Sequence, residues 1–147
     1  MVPVRDWRIE PASDDLFEER ARWRYEPPYD FYDDDGEPVL NPERFFAVRD
    51  EDRLVGFIYL EERDAGVFYG LGMRPDLTGR GLGLEFVRFG LDFAHERYPG
   101  RPVFLDVAEF NVRARKVYER AGFRLTGRKT RQFPGRGHVP FVDMEER

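Results

Sequence analysis

A mixed α+β domain is predicted for this chain from three observations. Strand-like segments come in a meander and then alternate with helical ones. A run of alternating glycines, Gly79, Gly81 and Gly83, sits between an apolar strand and a long apolar helix. The 147 residues are 41% hydrophobic and 16% aromatic, enough for one core and too few for a second, so residues 1–147 are expected to form a single domain.

Taken in order, Val4 to Ile9 reads as a first strand. Asp15-Leu-Phe-Glu18 has capping-box form and opens a short helix expected to run to about Trp23. Pro27, Pro28, Gly36 and Pro38 break any regular pattern from Arg24 to Asn41, leaving an aromatic and acidic loop. Phe45 to Arg49, Leu54 to Glu61 and Val67 to Met73 are strands, separated by turns at Asp50-Glu-Asp52 and Asp64-Ala-Gly66. A helix from about Gly81 to Tyr98 carries Leu82, Phe86, Phe89, Leu91, Phe93 and Ala94, apolar around much of its girth, and Pro99-Gly100 stops it. Val103 to Val107 is the next strand. Arg113 to Ala121 is the next helix, closed by Gly122. Phe123 to Phe133 and His138 to Met144 form a final hairpin across Pro134-Gly-Arg-Gly137.

Glycines let a backbone curl its N–H groups around a phosphate, and a helix beginning there adds the positive end of its dipole. The run here is not a dinucleotide fingerprint, because Leu84 stands where the third glycine belongs, and it lacks the Gly-Lys-Ser/Thr of a P-loop. Thr78-Gly79-Arg80-Gly81-Leu82-Gly83 resembles the pyrophosphate loop of the GNAT N-acyltransferase superfamily, where Arg/Gln-x-x-Gly-x-Gly/Ala opens the central helix. Downstream, Asn111, Ala114, Tyr118, Gly122 and Phe123 keep the spacing of that family's second cofactor segment. The resemblance covers residues 67 to 125 well and the flanks in outline.

The resemblance implies a mixed central sheet of about six to seven strands, with splayed middle strands and about four helices. It implies acetyl-CoA as acyl donor, no metal, and direct transfer of the acetyl group to a primary amine. On that reading Thr78, Gly79, Arg80, Gly81, Leu82 and Gly83 anchor the pyrophosphate. Thr78 replaces the usual Arg or Gln and supplies no charge, which Arg74 or Arg80 makes good. Backbone N–H groups around Leu71, Gly72 and Met73 polarise the thioester carbonyl. Gly70 and Gly72 weaken the pairing of their strand, which suits a splayed edge or a bulge. Asn111 and Ala114 meet the pantetheine arm, and a helix N-cap is the alternative or additional use of Asn111. Tyr118 faces the sulfur and stabilises or protonates the leaving thiolate; otherwise it is a core aromatic.

Asp106, in Leu105-Asp-Val107, is the expected general base, acting through a bridging water, with Glu109 as a second candidate; either serves otherwise as a paired strand-end carboxylate. In the loop after the first helix, Trp23, Tyr25, Tyr29 and Tyr32 interleave with Glu26 and Asp30. Ring faces and carboxylates in that pattern suit a cationic amine, the alternative being a loop packed over the core. Acetylation of a protein N-terminus or lysine, and a non-catalytic acyl-CoA-binding sensor, are the competing functions.

A net charge of −5 argues against nucleic acid as a partner. Nearly all 24 basic residues are arginine, with only Lys116 and Lys129 as lysines. Zero cysteines exclude disulfides and cysteine-ligated metals, and His95 and His138 lack partner spacing and read as surface residues. No apolar run is long enough to span a membrane and the first residues are charged, so a cytoplasmic enzyme of small amines is expected, with exposed edge strands that permit a homodimer.

Overall fold

Seven strands hydrogen-bond in the order β1-β2-β3-β4-β5-β7-β6. They are β1 (Trp7–Pro11), β2 (Phe45–Asp50), β3 (Arg53–Arg63), β4 (Gly66–Met73), β5 (Val103–Ala108), β6 (Phe123–Phe133) and β7 (Gly137–Glu146). The structure, a computed structural model, describes residues 6–34, 36 and 38–146. Val4 and Arg5, expected in the first strand, lie outside them. The β1–β2, β2–β3, β5–β7 and β6–β7 pairs are antiparallel and β4–β5 is parallel, so the sheet is mixed. Among the described residues, the register of β4 on β5 covers Val67↔Val103 and Phe68↔Phe104 alone.

Three α-helices form among the described residues, against about four expected: α1 (Asp14–Arg20), α2 (Gly83–Arg97) and α3 (Val112–Arg120). Among the described residues between Arg24 and Asn41, where prolines disfavour longer helix, the one helical element is a 3₁₀ turn at Tyr29–Tyr32, and the bond between Pro27 and Pro28 is cis. The expected capping box at Asp15 is displaced. Ser13 is the N-cap, without a side-chain bond to the helix backbone, and its hydroxyl donates to Asp15 instead. Arg49 also donates to Asp15 and to Glu10, tying α1 and β1 to β2.

The chain divides into two compact units, residues 1–59 with 71–80, and residues 60–70 with 81–147. In the first, Leu16, Trp23, Phe45, Ala47 and Leu54 form a core, against which Phe17, Tyr25, Phe57 and Tyr59 pack. Phe45 is edge-on to both Phe17 and Tyr59. In the second, α2 buries Phe86, Val87, Gly90, Leu91 and Ala94, the face that a 3.6-residue period predicts. Its buried strand residues include Val67 and Tyr69 of β4, Val103, Leu105 and Val107 of β5, Phe123 of β6, and Phe141, Val142 and Met144 of β7.

Candidate active site

The glycine loop follows a 3₁₀ turn at Pro75–Leu77. Gly79 and Gly81 have φ of 74° and 78°, in the left-handed region that a Cβ disfavours, so their conformation explains their identity. α2 then begins at Gly83, and its N-cap, Leu82, offers no side-chain hydrogen bond. The first N–H groups of a helix have no intrahelical partner, and a helix start of this kind is one that suits an anion. Gly83 has no such backbone need, and a Cβ there would make an ordinary 3.6 Å contact with Val117 of α3.

The two residues expected to supply charge or hydrogen bonds beside this loop are otherwise engaged. Thr78 donates its hydroxyl to the Pro75 carbonyl at 2.7 Å. Arg74 is bonded to Asp76 at 2.6 Å and to the Leu54 carbonyl at 3.1 Å, whereas Arg80 is exposed. The Arg74 guanidinium in turn holds the Asp76 carboxyl below its usual range.

At the end of β4, the lack of a side chain on Gly72 is explained by packing. A Cβ there would meet ring carbons of Phe57 at 2.4 and 2.7 Å. The neighbouring Met73 is buried, and its carbonyl accepts the Tyr25 hydroxyl at 2.6 Å. Its successor Arg74 donates its backbone N–H to Val55 at 2.8 Å.

The aromatic loop splits into two groups. Trp23 is 7% exposed and stacks on Phe57 with ring centroids 6.5 Å apart, so its indole belongs to the core. Tyr25 packs against the same core, and its backbone N–H is held by the Asp33 carboxylate at 2.9 Å. Burial pushes its phenol well above the usual tyrosine range; the charge of Arg20 opposes this and that of Asp33 adds to it. Tyr29, Asp30 and Tyr32 lie on the 3₁₀ turn, Tyr32 edge-on to Phe31, while Glu26 is exposed and its carbonyl accepts the Tyr29 N–H. One residue absent from the sequence reading stands out here. Arg20 places its guanidinium carbon 5.0 Å from the centre of the Phe57 ring and 5.5 Å from that of Phe45. Its signal was the position of an arginine in the last turn of a helix leading into aromatics.

In the second unit Asn111 is the N-cap of α3, its side-chain oxygen accepting the Ala114 N–H at 3.1 Å. Tyr118, two turns on, is half-buried and edge-on to Phe123 at 6.2 Å. Tyr69, also missed in the sequence, is buried and donates its hydroxyl to the Val87 carbonyl of α2 at 3.0 Å. Burial raises its phenol further than the charges of Tyr118 and Asp92 do, so Tyr69 stays a neutral donor. Its place in the alternation Val67, Tyr69 along β4 was the signal available.

Asp106 stands opposite Asp143 in the β5–β7 register. Two carboxylates facing each other across a ladder repel, and Lys129 resolves this by lying 3.0 Å from Asp106 and 2.8 Å from Asp143. Arg131 adds a second cation, 3.6 Å from Asp106. Glu109, the other expected base, is paired with Arg128 at 2.8 Å. His95 does have a partner, Glu146, at 2.7 Å, because the strand that ends the chain returns beside α2. Among the described residues no group of three or more His, Asp or Glu is placed to hold a metal, and no helix is long and apolar enough to cross a membrane.

The model of the acetyltransferase (GNAT) family matches residues 4–123. A mycothiol acetyltransferase from Streptomyces coelicolor is 39% identical over 99 residues, covering 64% of this chain and 31% of its own length. One from Streptomyces griseus is 34% identical over 136 residues, covering 83% of this chain and 43% of its own. The chain thus spans less than half the length of these curated relatives. A solved chimera of Vibrio cholerae spermidine N-acetyltransferase superposes with a TM-score of 0.74 at 20% identity, over 95% of this chain and 94% of that one. A GNAT-family acetyltransferase from Bacillus anthracis superposes with a TM-score of 0.60 at 19% identity, over 69% of this chain and 64% of that one. At such identities the likeness shows the fold.

Proposed function

Since the chain belongs to the acetyltransferase (GNAT) family, we propose that it moves an acetyl group from acetyl-CoA directly to the primary amine of a small molecule. The observation that carries this is the glycine loop, with Gly79 and Gly81 in left-handed backbone, running into the uncapped start of α2. In that role the N–H groups of Gly79 to Gly83 hold the pyrophosphate and Arg80 adds the charge that Thr78 lacks. Asn111 and Ala114 contact the pantetheine arm, and the backbone around Leu71, Gly72 and Met73 polarises the thioester carbonyl.

The amine nitrogen attacks that carbonyl carbon, the carbon–sulfur bond breaks, and Tyr118 gives its phenolic proton to the departing thiolate. The extra proton on the attacking nitrogen of the tetrahedral intermediate leaves to water as the amide forms, and a proton taken back from water restores the phenol. Asp106 is held by Lys129 and Arg131, and this proposal gives it the task of fixing charge beside β5. Glu26, Tyr29, Asp30 and Tyr32 guide the amine, whereas Trp23 and Tyr25 build the scaffold under them. The cytoplasm, where acetyl-CoA is available, is the proposed site of action.

One observation favours a second reading, a non-catalytic acyl-CoA sensor: both expected bases, Asp106 and Glu109, are tied up in ion pairs. The test is acetyl-CoA-dependent CoA release across a panel of polyamines, aminoglycosides, amino acids and short peptides. Tyr118→Phe should lower kcat by about a hundredfold or more while acetyl-CoA still binds. Silence across the panel, with acetyl-CoA bound, would favour the sensor.

A further inference from the structure

Arg20 is the last residue of α1 and is half-buried on an aromatic surface made by Phe45 and Phe57. A guanidinium carries five N–H donors in a planar fork. Among the described residues, the Arg20 guanidinium lies over the two rings and acts electrostatically on Tyr25, and it makes no ion pair and no hydrogen bond to an acceptor. Ring faces attract the charge but leave the in-plane donors unused. Other arginines of the same unit are tied to acceptors, Arg49 to Glu10 and Asp15, Arg74 to Asp76 and Leu54.

The position of this cation relative to the strand end matters. The Phe57 ring that carries Arg20 also abuts Gly72, so the guanidinium and the end of β4 share one phenyl ring as neighbour. Tyr25, the phenol that senses the charge of Arg20, is bonded to the Met73 carbonyl. Leu71 to Met73 is where the proposed reaction needs the thioester carbonyl, and hence where the attacking amine must arrive.

We infer that Arg20 is a specificity-determining residue that binds a carboxylate next to the reacting amine, so that the acceptor is a small amino-carboxylate such as a free amino acid. A carboxylate satisfies the fork with two charge-assisted hydrogen bonds. A polycation fits worse: the ring faces of Phe45 and Phe57 are already covered by a fixed positive charge, and Trp23 stacks on Phe57 as well. Glu26, Asp30 and Asp33 in the adjoining loop supply the negative field for the ammonium end of a zwitterion. The inference rests on the acyl-transfer reading of the same strand end.

The test compares L-amino acids with the amines left when their carboxylate is removed, in the whole chain and in Arg20→Gln and Arg20→Lys. CoA release gives kcat and KM, and tryptophan fluorescence with CoA present gives binding apart from turnover, since Trp23 stacks on Phe57. Circular dichroism and melting confirm that the variants fold. The acid should exceed its matched amine in kcat/KM by about tenfold to a hundredfold, chiefly through KM. That ratio should fall toward one in Arg20→Gln and be partly retained in Arg20→Lys. Equal use of the matched amine by the parent chain, or a ratio that survives Arg20→Gln, overturns the assignment, as does the lack of any carboxylate-dependent signal in both assays. Carboxylate binding lost in Arg20→Gln but never followed by CoA release supports the site and sinks the transferase reading. Turnover of cationic amines alone does the reverse.

Discussion

The Tyr25 hydroxyl donates to the Met73 carbonyl across 2.6 Å, joining the loop that follows α1 to the last residue of β4. The two residues are 48 apart in the chain, and the bond ties the loop proposed to meet the acceptor to the strand end proposed to polarise the thioester. Removing it in Tyr25→Phe leaves a part-buried carbonyl short of a donor. The expected loss is about 1 kcal/mol of stability, read by thermal or denaturant unfolding. The KM for the acceptor should rise more than that for acetyl-CoA; a variant with both unchanged would show that the loop does not position the acceptor.

Gly72→Ala should be destabilising by about 1–3 kcal/mol, because a Cβ 2.4 Å from a Phe57 ring carbon forces that ring out of its stack with Trp23. Combining it with Phe57→Leu should cost less than the sum of the two single changes, since the smaller side chain vacates the space. A strictly additive double-mutant cycle would mean that the strand shifts instead.

Gly81→Ala and Gly83→Ala should part company. Gly81 has φ of 78° and open space around it, so alanine strains the backbone by about 1 kcal/mol and loosens acetyl-CoA through a distorted loop. Gly83 is helical, and its added methyl would make an ordinary 3.6 Å contact with Val117, so stability should hold or rise by a few tenths of a kcal/mol. Unfolding curves and calorimetric titration with CoA separate the two.

Lys129→Met should cost about 1 kcal/mol near neutral pH, the upper range for partly exposed pairs, because Asp106 and Asp143 then face each other without a cation. Chemical unfolding of the two proteins at one pH measures it. An unchanged midpoint would show that Arg131 suffices.

Alkaline pH should destabilise the parent chain. Burial raises the Tyr25 phenol above its ordinary value of 10.0, and Lys129 is raised above 10.5 because bonds to Asp143 and Asp106 outweigh its burial. Both groups bind their protons more tightly folded than unfolded. Their contribution is therefore complete below those unfolded values and is lost as pH rises through the higher folded ones. Unfolding midpoints should be flat from about pH 7 to 9 with respect to these groups and fall above about 10. Tyr25→Phe and Lys129→Met should each flatten that fall.

The elements were legible because their signals are local. Apolar runs bounded by turn residues marked the strands, the glycine loop and the Asn111 cap marked the starts of α2 and α3, and boundaries moved by only a few residues. The Asp15 capping box failed because Ser13, two residues earlier, provides the N-cap and turns its own hydroxyl to Asp15. Local pattern also fixed the family and the residue types that could run acyl transfer.

What surrounds each side chain was decided only by residues far apart in the chain. Trp23 and Tyr25 read as a cage in sequence, but Phe57 and Met73 draw them into packing and a backbone bond. Asp106 reads as a candidate base in sequence, and only the strand register sets it against Asp143 with Lys129 close to both. Arg20 carried no motif at all. Charge balance, ring stacking and donor satisfaction depend on distances across the fold, and a sequence encodes those only through the sheet that assembles them.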